Sequence, residues 1–498
     1  MAPSRFLPKP WLSSSLACVL ALASANPLLA QATRTEHDSL GNRQIPVEAY
    51  WGAQTSRALE NFPFNTQKLE HVPTFLQAYA YVKKAAAQAN CELGILSKEK
   101  LDAISQACDE IIAGKLHNQF PEDMIQAGAG TSTNMNFNEV IANRGLEIMG
   151  KQKGDYKFLH PNDDVNLSQS TNDNYPTAAR VAIVMEITRS LKAMEGLKTA
   201  LEAKGSEFKD VIKMGRTEMQ DAVPVTLGQE FNGFADTVNE AMIQLKEAQT
   251  AFMKVNLGGT AIGTGLNSPP KYCALSIQKL AKLTGYPFVR SHDLVGASSD
   301  CSGYVQMSGA MKRAGLVMSK IANDLRLMSS GPRTGFFEIT LPATQPGSSI
   351  MPGKVNPVIC EVTSSIAYQL AGYDTTVTMA AELSSLELNP VECIIVYDLL
   401  CGTSLLTKGA EVFTTKCVVG VKANTERCRM LVKNSIGLVT ALNPVLGYER
   451  SASIAKESLA TGRSVYDLVL EKGWMTKEQL DDMLKPENMT QPRDWPKK

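Results

Sequence analysis

Residues 347–357 read Gly347-Ser348-Ser349-Ile350-Met351-Pro352-Gly353-Lys354-Val355-Asn356-Pro357. Two prolines and two glycines in eleven residues exclude a regular helix or strand. The stretch is therefore a loop, and an apolar helical pattern begins directly after it at Val358. Hydroxyls, free backbone N–H groups and one ammonium before a helix start are the groups that hold an anion.

Three further loops of this kind lie upstream. They are Gly128-Ala129-Gly130-Thr131-Ser132-Thr133-Asn134, then His160-Pro161-Asn162-Asp163 with Ser168-Gln169-Ser170-Thr171-Asn172-Asp173, and then Gly215-Arg216-Thr217-Glu218. Singly, each is accounted for as a helix cap. Four in one chain, one carrying a lysine, point to a carboxylate-binding site. Gly258-Gly259-Thr260-Ala261-Ile262-Gly263-Thr264-Gly265 lacks the third glycine of a dinucleotide fingerprint and follows helical sequence, so a nucleotide site is set aside.

Between the loops the pattern is helical. Val184, Ile187, Leu191, Met194 and Leu201 recur at three- and four-residue steps or their sum, and Phe234, Val238, Leu245 and Phe252 continue in kind. Ala314, Met318, Ile321, Leu325 and Met328 form a seam that Gly331-Pro332 stops. A last long helix is expected from Val358 to Leu388, ending at Asn389-Pro390. Helices this long bury their stripes by packing in a bundle, across subunits or within one large monomeric domain.

Composition agrees with a helical protein: 44% of the 498 residues are hydrophobic and only 6% aromatic. Fifty basic residues balance fifty acidic ones, so no basic face for nucleic acid is implied. The ten cysteines show no C-x-x-C spacing and the five histidines no H-E-x-x-H, so neither a disulfide framework nor catalytic zinc is expected. At the N-terminus, Arg5 and Lys9 precede the apolar run Leu16–Leu22 and the small-x-small site Ala30-Gln31-Ala32. This reads as an export signal ending at Ala32, which places the mature protein in the periplasm; a mitochondrial transit peptide and an uncleaved cytoplasmic tail are the alternatives. The apolar run is too short to span a bilayer and no later stretch is expected to do so, giving a mature form without a membrane segment.

The loop at 347–357 resembles the signature loop of the aspartase/fumarase superfamily. Four other stretches support this in order: GAGTSTNMNFNEVIANRG from Gly128, HPNDDVNLSQSTND from His160, GRTEMQDAVPVTLGQEF from Gly215 and NLGGTAIGTGLN from Asn256. The resemblance runs from about Glu36 to Leu484. GLEIMGKQKGDY from Gly145, DTTVTMAAE at 374–382 and NSIGLVTALNP at 434–444 are similar to the aspartase branch, whereas YWGAQT at 50–55 is more like fumarases.

The resemblance implies a mainly α, three-domain fold with a long central helical bundle and a tetrameric core. After the signal read at 1–32, the chain is expected to divide into an N-terminal lyase domain at 33–168, a central helical-bundle domain at 169–425 and a small C-terminal helical domain at 426–498. The resemblance also implies a homotetramer whose active sites each draw on three chains, a small dicarboxylate substrate, and no cofactor or metal. The implied reaction splits L-aspartate into fumarate and ammonia; a fumarase, a same-fold lyase on another amino-acid or succinyl-type substrate, and a non-catalytic member are the rivals.

The residue roles carried over by resemblance are these. Ser348 is the base, its alkoxide stabilised by backbone N–H groups and Lys354. Lys354, Ser349 and Asn356 hold a carboxylate. Ser170, Thr171 and Thr217 surround the β-carboxylate, and Thr131 and Asn172 lie near the amine. Gly347 and Gly353 let the loop close as a lid, and His160 matches a secondary anion-site histidine of fumarases. Glu218 departs from the pattern, standing where fumarases carry His and aspartases Gln or His. A carboxylate there attracts an ammonium, and if Glu361 lies beside it one of the two holds a proton.

Overall fold

A computed structural model describes residues 32–64 and 66–492. The export signal expected at 1–32 lies outside the described residues except for Ala32. Strands β1 (Thr33–Asp38) and β2 (Gly41–Pro46) form an antiparallel hairpin ahead of helices α1 (Ala53–Asn61), α2 (Pro73–Glu92), α3 (Lys98–Ile112) and α4 (Thr131–Ile148). Phe75, Tyr79, Phe120, Phe137 and Tyr175 pack ring against ring in the core beneath them, Tyr79 stacked on Phe137 and Phe75 edge-on to Tyr79 and Tyr175.

The centre of the molecule is made of long helices. α5 (Thr171–Glu207) runs for 37 residues and is followed by the hairpin β3 (Ile212–Thr217) and β4 (Gln220–Thr226). α6 (Leu227–Phe252) returns along it, and two short helices, α7 (Tyr272–Thr284) and α8 (Leu294–Ser299), precede α9 (Ser302–Met328). α10 (Val358–Glu382) and α11 (Glu392–Lys416) complete the set. α5 packs on α6, α6 on α9, α9 on α10, α10 on α11 and α11 back on α5, closing a five-helix bundle. The three seams read from the sequence are those of α5, α6 and α9; Val184, Ile187, Val238, Leu245, Ala314, Met318 and Leu325 are fully buried. Short helices from Thr425 to Met489 build a second core around Leu442, Ile454 and Leu468.

The ends of these helices are chemically explicit. Ser170 caps α5 in a capping box with Asp173. Pro176 has no N–H to give the carbonyl of Asn172, and the Nδ2 of Asn256 donates to that oxygen instead, at 3.0 Å. Thr226 caps α6 in a second box with Gln229.

Two expectations are corrected. α10 ends at Glu382, not near Leu388: the Asn389 side chain donates to the Ala380 carbonyl at 2.9 Å, Ser384 Oγ turns to Ser299, and Leu386 takes a positive φ of 52°. Among the described residues one stretch, Glu392–Gly420, is long and apolar enough to cross a membrane, contrary to the sequence reading. It is the bundle helix α11 with its continuation, and 67% of its apolar window is buried against protein.

One apolar stripe stays open. Tyr368 and Met379 of α10 and its C-cap Leu383 are 64%, 71% and 50% exposed, at spacings of eleven and four that place them on one helix face.

Candidate active site

The loop at 347–357 folds on itself. The Gly347 N–H donates to the Lys354 carbonyl at 2.8 Å, and Asn356 Nδ2 donates to the Gly347 carbonyl at 2.7 Å. A Cβ at Gly347 would lie 2.4 Å from the Lys354 oxygen, so only glycine permits this closure. Gly353 turns the chain with φ +82°. Ser348 Oγ sits inside the fold and accepts from the N–H groups of Ile350 at 3.2 Å and Met351 at 3.1 Å. Two donors aimed at one hydroxyl oxygen favour negative charge on it. Ser348 is half-buried, while Ser349 and Lys354 are exposed and Asn356 is half-buried as the clasp of the loop.

Thr217 and Glu218 belong to a β-hairpin, an element the sequence reading took for a loop. Thr217 ends β3, and Glu218 and Met219 form the turn with φ of 53° and 65°. Both positive φ values match the twist of a two-residue hairpin, but neither residue is the glycine or asparagine that normally announces one. Beneath the turn, Arg216 Nη1 meets both carboxylate oxygens of Glu338 and its guanidinium lies 4.2 Å from the Phe336 ring centre. Lys213 joins Glu338 at 3.5 Å and Glu230 at 2.7 Å. Burial pushes the Glu230 carboxyl above its ordinary range despite Lys213. Glu218 borders a cavity of about 640 Å³ with Arg216, Glu230, Lys320 and Phe336.

A third group forms around the start of α5. Thr131 opens α4, exposed, with its hydroxyl on the Gly128 carbonyl at 2.9 Å; Gly130, in the left-handed conformation, occupies the cap position. Thr171 is nearly buried, and its Oγ1 accepts from Asn134 Nδ2 at 3.1 Å. Asn172 Nδ2 donates to the Ala261 carbonyl at 2.7 Å. Asp173 accepts from Gly258 and Thr260 N–H groups at 2.8 and 3.1 Å, which draws the glycine-rich stretch at 256–265 onto this helix start. Burial raises the Asp173 carboxyl to about 6 against those hydrogen bonds. The sequence offers no motif that assigns this stretch to the site; its glycines are the signal of a close backbone approach, since a Cβ at Gly258 would meet Cys273 at 2.6 Å and one at Gly263 would meet Leu294 at 2.4 Å. His160 accepts two backbone N–H groups on Nδ1, both at 3.1 Å, and so serves as the cap of the turn Pro161–Val165.

These groups do not meet within one chain. The Ala129 N–H bonds to the Pro390 carbonyl, so Thr131 and Thr171 lie at the bundle end where α10 turns into α11. Lys204 Nζ bonds to the Val421 carbonyl, and Pro357 and Val358 share a small cavity with Lys416 and Cys417, so the hairpin and the Ser348 loop lie at the other end. A 25-residue α11 separates the ends by about 38 Å, and α5 is about 55 Å long. Glu361 lies exposed on the first turn of α10, at the same end as Glu218.

The five-helix bundle thus carries a glycine-rich serine loop at one end and a threonine- and asparagine-rich helix start at the other. Residues 41–372 match the family described as lyase, and residues 438–491 match the fumarase C C-terminus. The chain belongs to the aspartase/fumarase family of lyases. It is 53% identical over 470 residues to the aspartate ammonia-lyase of Pseudomonas canavaninivorans, covering 94% of this chain and 99% of that one. To the aspartate ammonia-lyase of Escherichia coli K12 it is 48% identical over 92% of this chain and 96% of that one. Among solved structures, a fumarate lyase:delta crystallin from Brucella melitensis superposes with a TM-score of 0.90 at 52% identity, covering 93% of this chain and all of that one. A class II fumarase from Schistosoma mansoni superposes at 0.88 with 36% identity, over 93% of this chain and all of that one.

Proposed function

We propose that the protein is a carbon–nitrogen lyase that converts L-aspartate to fumarate and ammonia, with Ser348 as the base. Three things support this reading: relatives at 48–53% identity are aspartate ammonia-lyases, the fumarase stands at 36%, and Glu218 replaces the histidine implied for fumarases. The observation that carries the mechanism is the pair of N–H groups on Ser348 Oγ.

Ser348 as alkoxide takes a proton from Cβ. The electron pair moves into the adjacent carboxylate, giving a doubly charged enediolate. Hydroxyls of Ser170, Thr171 and Thr217 and the Lys354 ammonium meet that charge as it forms, which is where stabilisation speeds the step. The pair then returns to close the Cα–Cβ double bond, and the C–N bond breaks to release the amine. Thr131, Asn172 and Glu218 surround the departing nitrogen, while Ser349 and Asn356 keep the loop on the other carboxylate.

Because the Ser348 loop and Thr171 stand at opposite ends of the bundle, a complete site requires other copies of the chain. Antiparallel packing of bundles along stripes such as Tyr368, Met379 and Leu383 brings unlike ends together and covers the exposed apolar surface. We read the assembly as a homotetramer with each site drawn from three chains, built from the domains at 33–168, 169–425 and 426–498. The segment before Thr33 we read as an export signal. Incubating the purified protein separately with L-aspartate, with L-malate, and with fumarate plus ammonium, and following fumarate by ultraviolet absorbance, tests the reaction; turnover of malate alone would make it a fumarase.

A further inference from the structure

Beneath Thr171 lies a buried cation that the sequence gave no reason to notice. Lys83, on α2, is fully buried. Its Nζ is 2.6 Å from Asn134 Oδ1, 2.9 Å from Asn166 Oδ1 and 3.0 Å from Gln169 Oε1, and 5.7 Å from the centre of the Tyr79 ring. Three acceptors match the three hydrogens of an ammonium. A neutral amine would turn a lone pair toward one of these oxygens.

The arrangement sets the direction of the next bonds. With its oxygen on Lys83, the Asn134 amide points its Nδ2 away, to Thr171 Oγ1 and Asn166 Oδ1, both at 3.1 Å. A flipped amide would place its NH₂ against the ammonium, so Lys83 fixes the orientation. Thr171 Oγ1 thus accepts from Asn134 and keeps its own hydrogen to donate. Inside a helix a threonine can give that hydrogen to the carbonyl four residues back, but Thr171 is the first residue of α5 and the residue four back lies outside the helix. Here that carbonyl is Leu167, already taken by Asn90 Nδ2 at 2.8 Å and Gln169 Nε2 at 3.2 Å.

We infer that Lys83 is a positioning residue of the substrate site: through Asn134 it commits the Thr171 hydroxyl to donate to a substrate carboxylate. This rests on the reading that Thr171 contacts substrate. The titratable groups facing Lys83 are Tyr79 on its own helix, Cys108 from α3 and Asp173 from α5. Burial raises Tyr79 well above its ordinary value and Cys108 to about 12, so both are neutral near pH 7 and Asp173 is the charge that answers Lys83. Burial holds Lys83 down to about 7, partly offset by Asp173. The donor network therefore loosens as pH rises above neutrality.

The test is a double-mutant cycle on the intact assembled enzyme with Lys83→Met, Thr171→Ala and the pair. The readouts are kcat and KM for L-aspartate, calorimetric binding of succinate as an unreactive dicarboxylate from pH 6 to 9, assembly state and melting temperature. Lys83→Met is expected to weaken succinate binding about tenfold, the worth of one charge-assisted hydrogen bond, to raise KM more than it lowers kcat, and to abolish the alkaline loss of binding. In the Thr171→Ala background the same change should weaken binding less than about twofold. Losses that multiply fully in the double variant, or succinate binding unchanged in Lys83→Met, would overturn the inference. Should Lys83→Met fail to assemble, Asn134→Leu replaces it in the cycle, since it cuts the link while leaving the lysine, and the same two outcomes decide. Full succinate binding by Thr171→Ala would overturn the substrate subsite and the inference with it. A wild type that binds succinate but does not turn over aspartate would overturn the reaction alone and leave the link to be judged on binding.

Discussion

Arg216 and Glu338 form a clamp between the β3–β4 hairpin and the segment that follows α9: one guanidinium nitrogen lies 3.0 and 3.1 Å from the two oxygens of a carboxylate with no exposure to solvent. Lys213, at 3.5 Å, is the other cation on that carboxylate. Breaking a buried pair from one side leaves an under-compensated charge, at a cost of about 3 kcal/mol. Arg216→Met is therefore expected to lower the urea midpoint by a corresponding amount and to depress turnover, because Thr217 and Glu218 lose their support. A variant with unchanged midpoint and rate would contradict the clamp.

Glu218, at the exposed tip of that hairpin, offers a cleaner experiment. Surface changes of this kind shift stability by less than about 0.5 kcal/mol, so Glu218→Gln reads chemistry alone. With the negative charge gone, KM for L-aspartate should rise severalfold, and weak binding of malate should not worsen. Steady-state kinetics on both substrates check this. A variant with improved aspartate turnover would mean that the glutamate obstructs the site rather than attracting the amine.

Separation of Ser348 from Thr171 by the bundle length leads to complementation between dead variants. Ser348→Ala and Thr171→Ala should each be inactive. Unfolded together in equal amounts and refolded, they should regain activity in about a quarter of the sites if, as proposed, the two residues of a site are supplied independently by different chains. If both residues served a site from one chain, every site would carry one defect and the mixture would stay inactive.

Glu392 is one of the buried carboxyls that make the stability depend on pH; burial also raises Glu139 to about 7 and Asp173 and Asp398 to about 6. Glu392 is buried at the start of α11, hydrogen-bonded by the Tyr304 hydroxyl with Arg180 nearby, and burial raises its carboxyl from 4.5 to about 7. Its folded-state value lies above the unfolded one, so its contribution is complete below about pH 4.5 and is lost as pH rises through 7. The whole window is worth on the order of 3 kcal/mol. Melting temperatures should fall between pH 5 and 8, and Glu392→Gln should make that slope shallower. An equally steep slope in the variant would remove Glu392 as a cause.

The bundle was legible because α5, α6 and α9 carry long apolar stripes at helical spacing and end at glycine, proline or capping residues. The serine loop was legible because its glycines, prolines and lysine have no use in a regular element. The β3–β4 hairpin was hidden by a turn made of Glu218 and Met219, whose side chains do not advertise positive φ. The end of α10 depends on Asn389 reaching back to Ala380, a contact that no local pattern records. Lys83 was hidden for a similar reason: a lysine among alanines on α2 reads as a solvated face, and its three amide partners come from Asn134, Asn166 and Gln169, at least 51 residues away.

The most direct measurement is fumarate formation from L-aspartate, followed by ultraviolet absorbance, in the wild type and in Ser348→Ala of matched assembly and melting temperature. Loss of a positioned base is worth on the order of 10²–10⁴ in rate. The account predicts turnover without added cofactor in the wild type and a fall of that size in kcat for Ser348→Ala, with aspartate binding largely retained. Undiminished turnover in the assembled variant would contradict it.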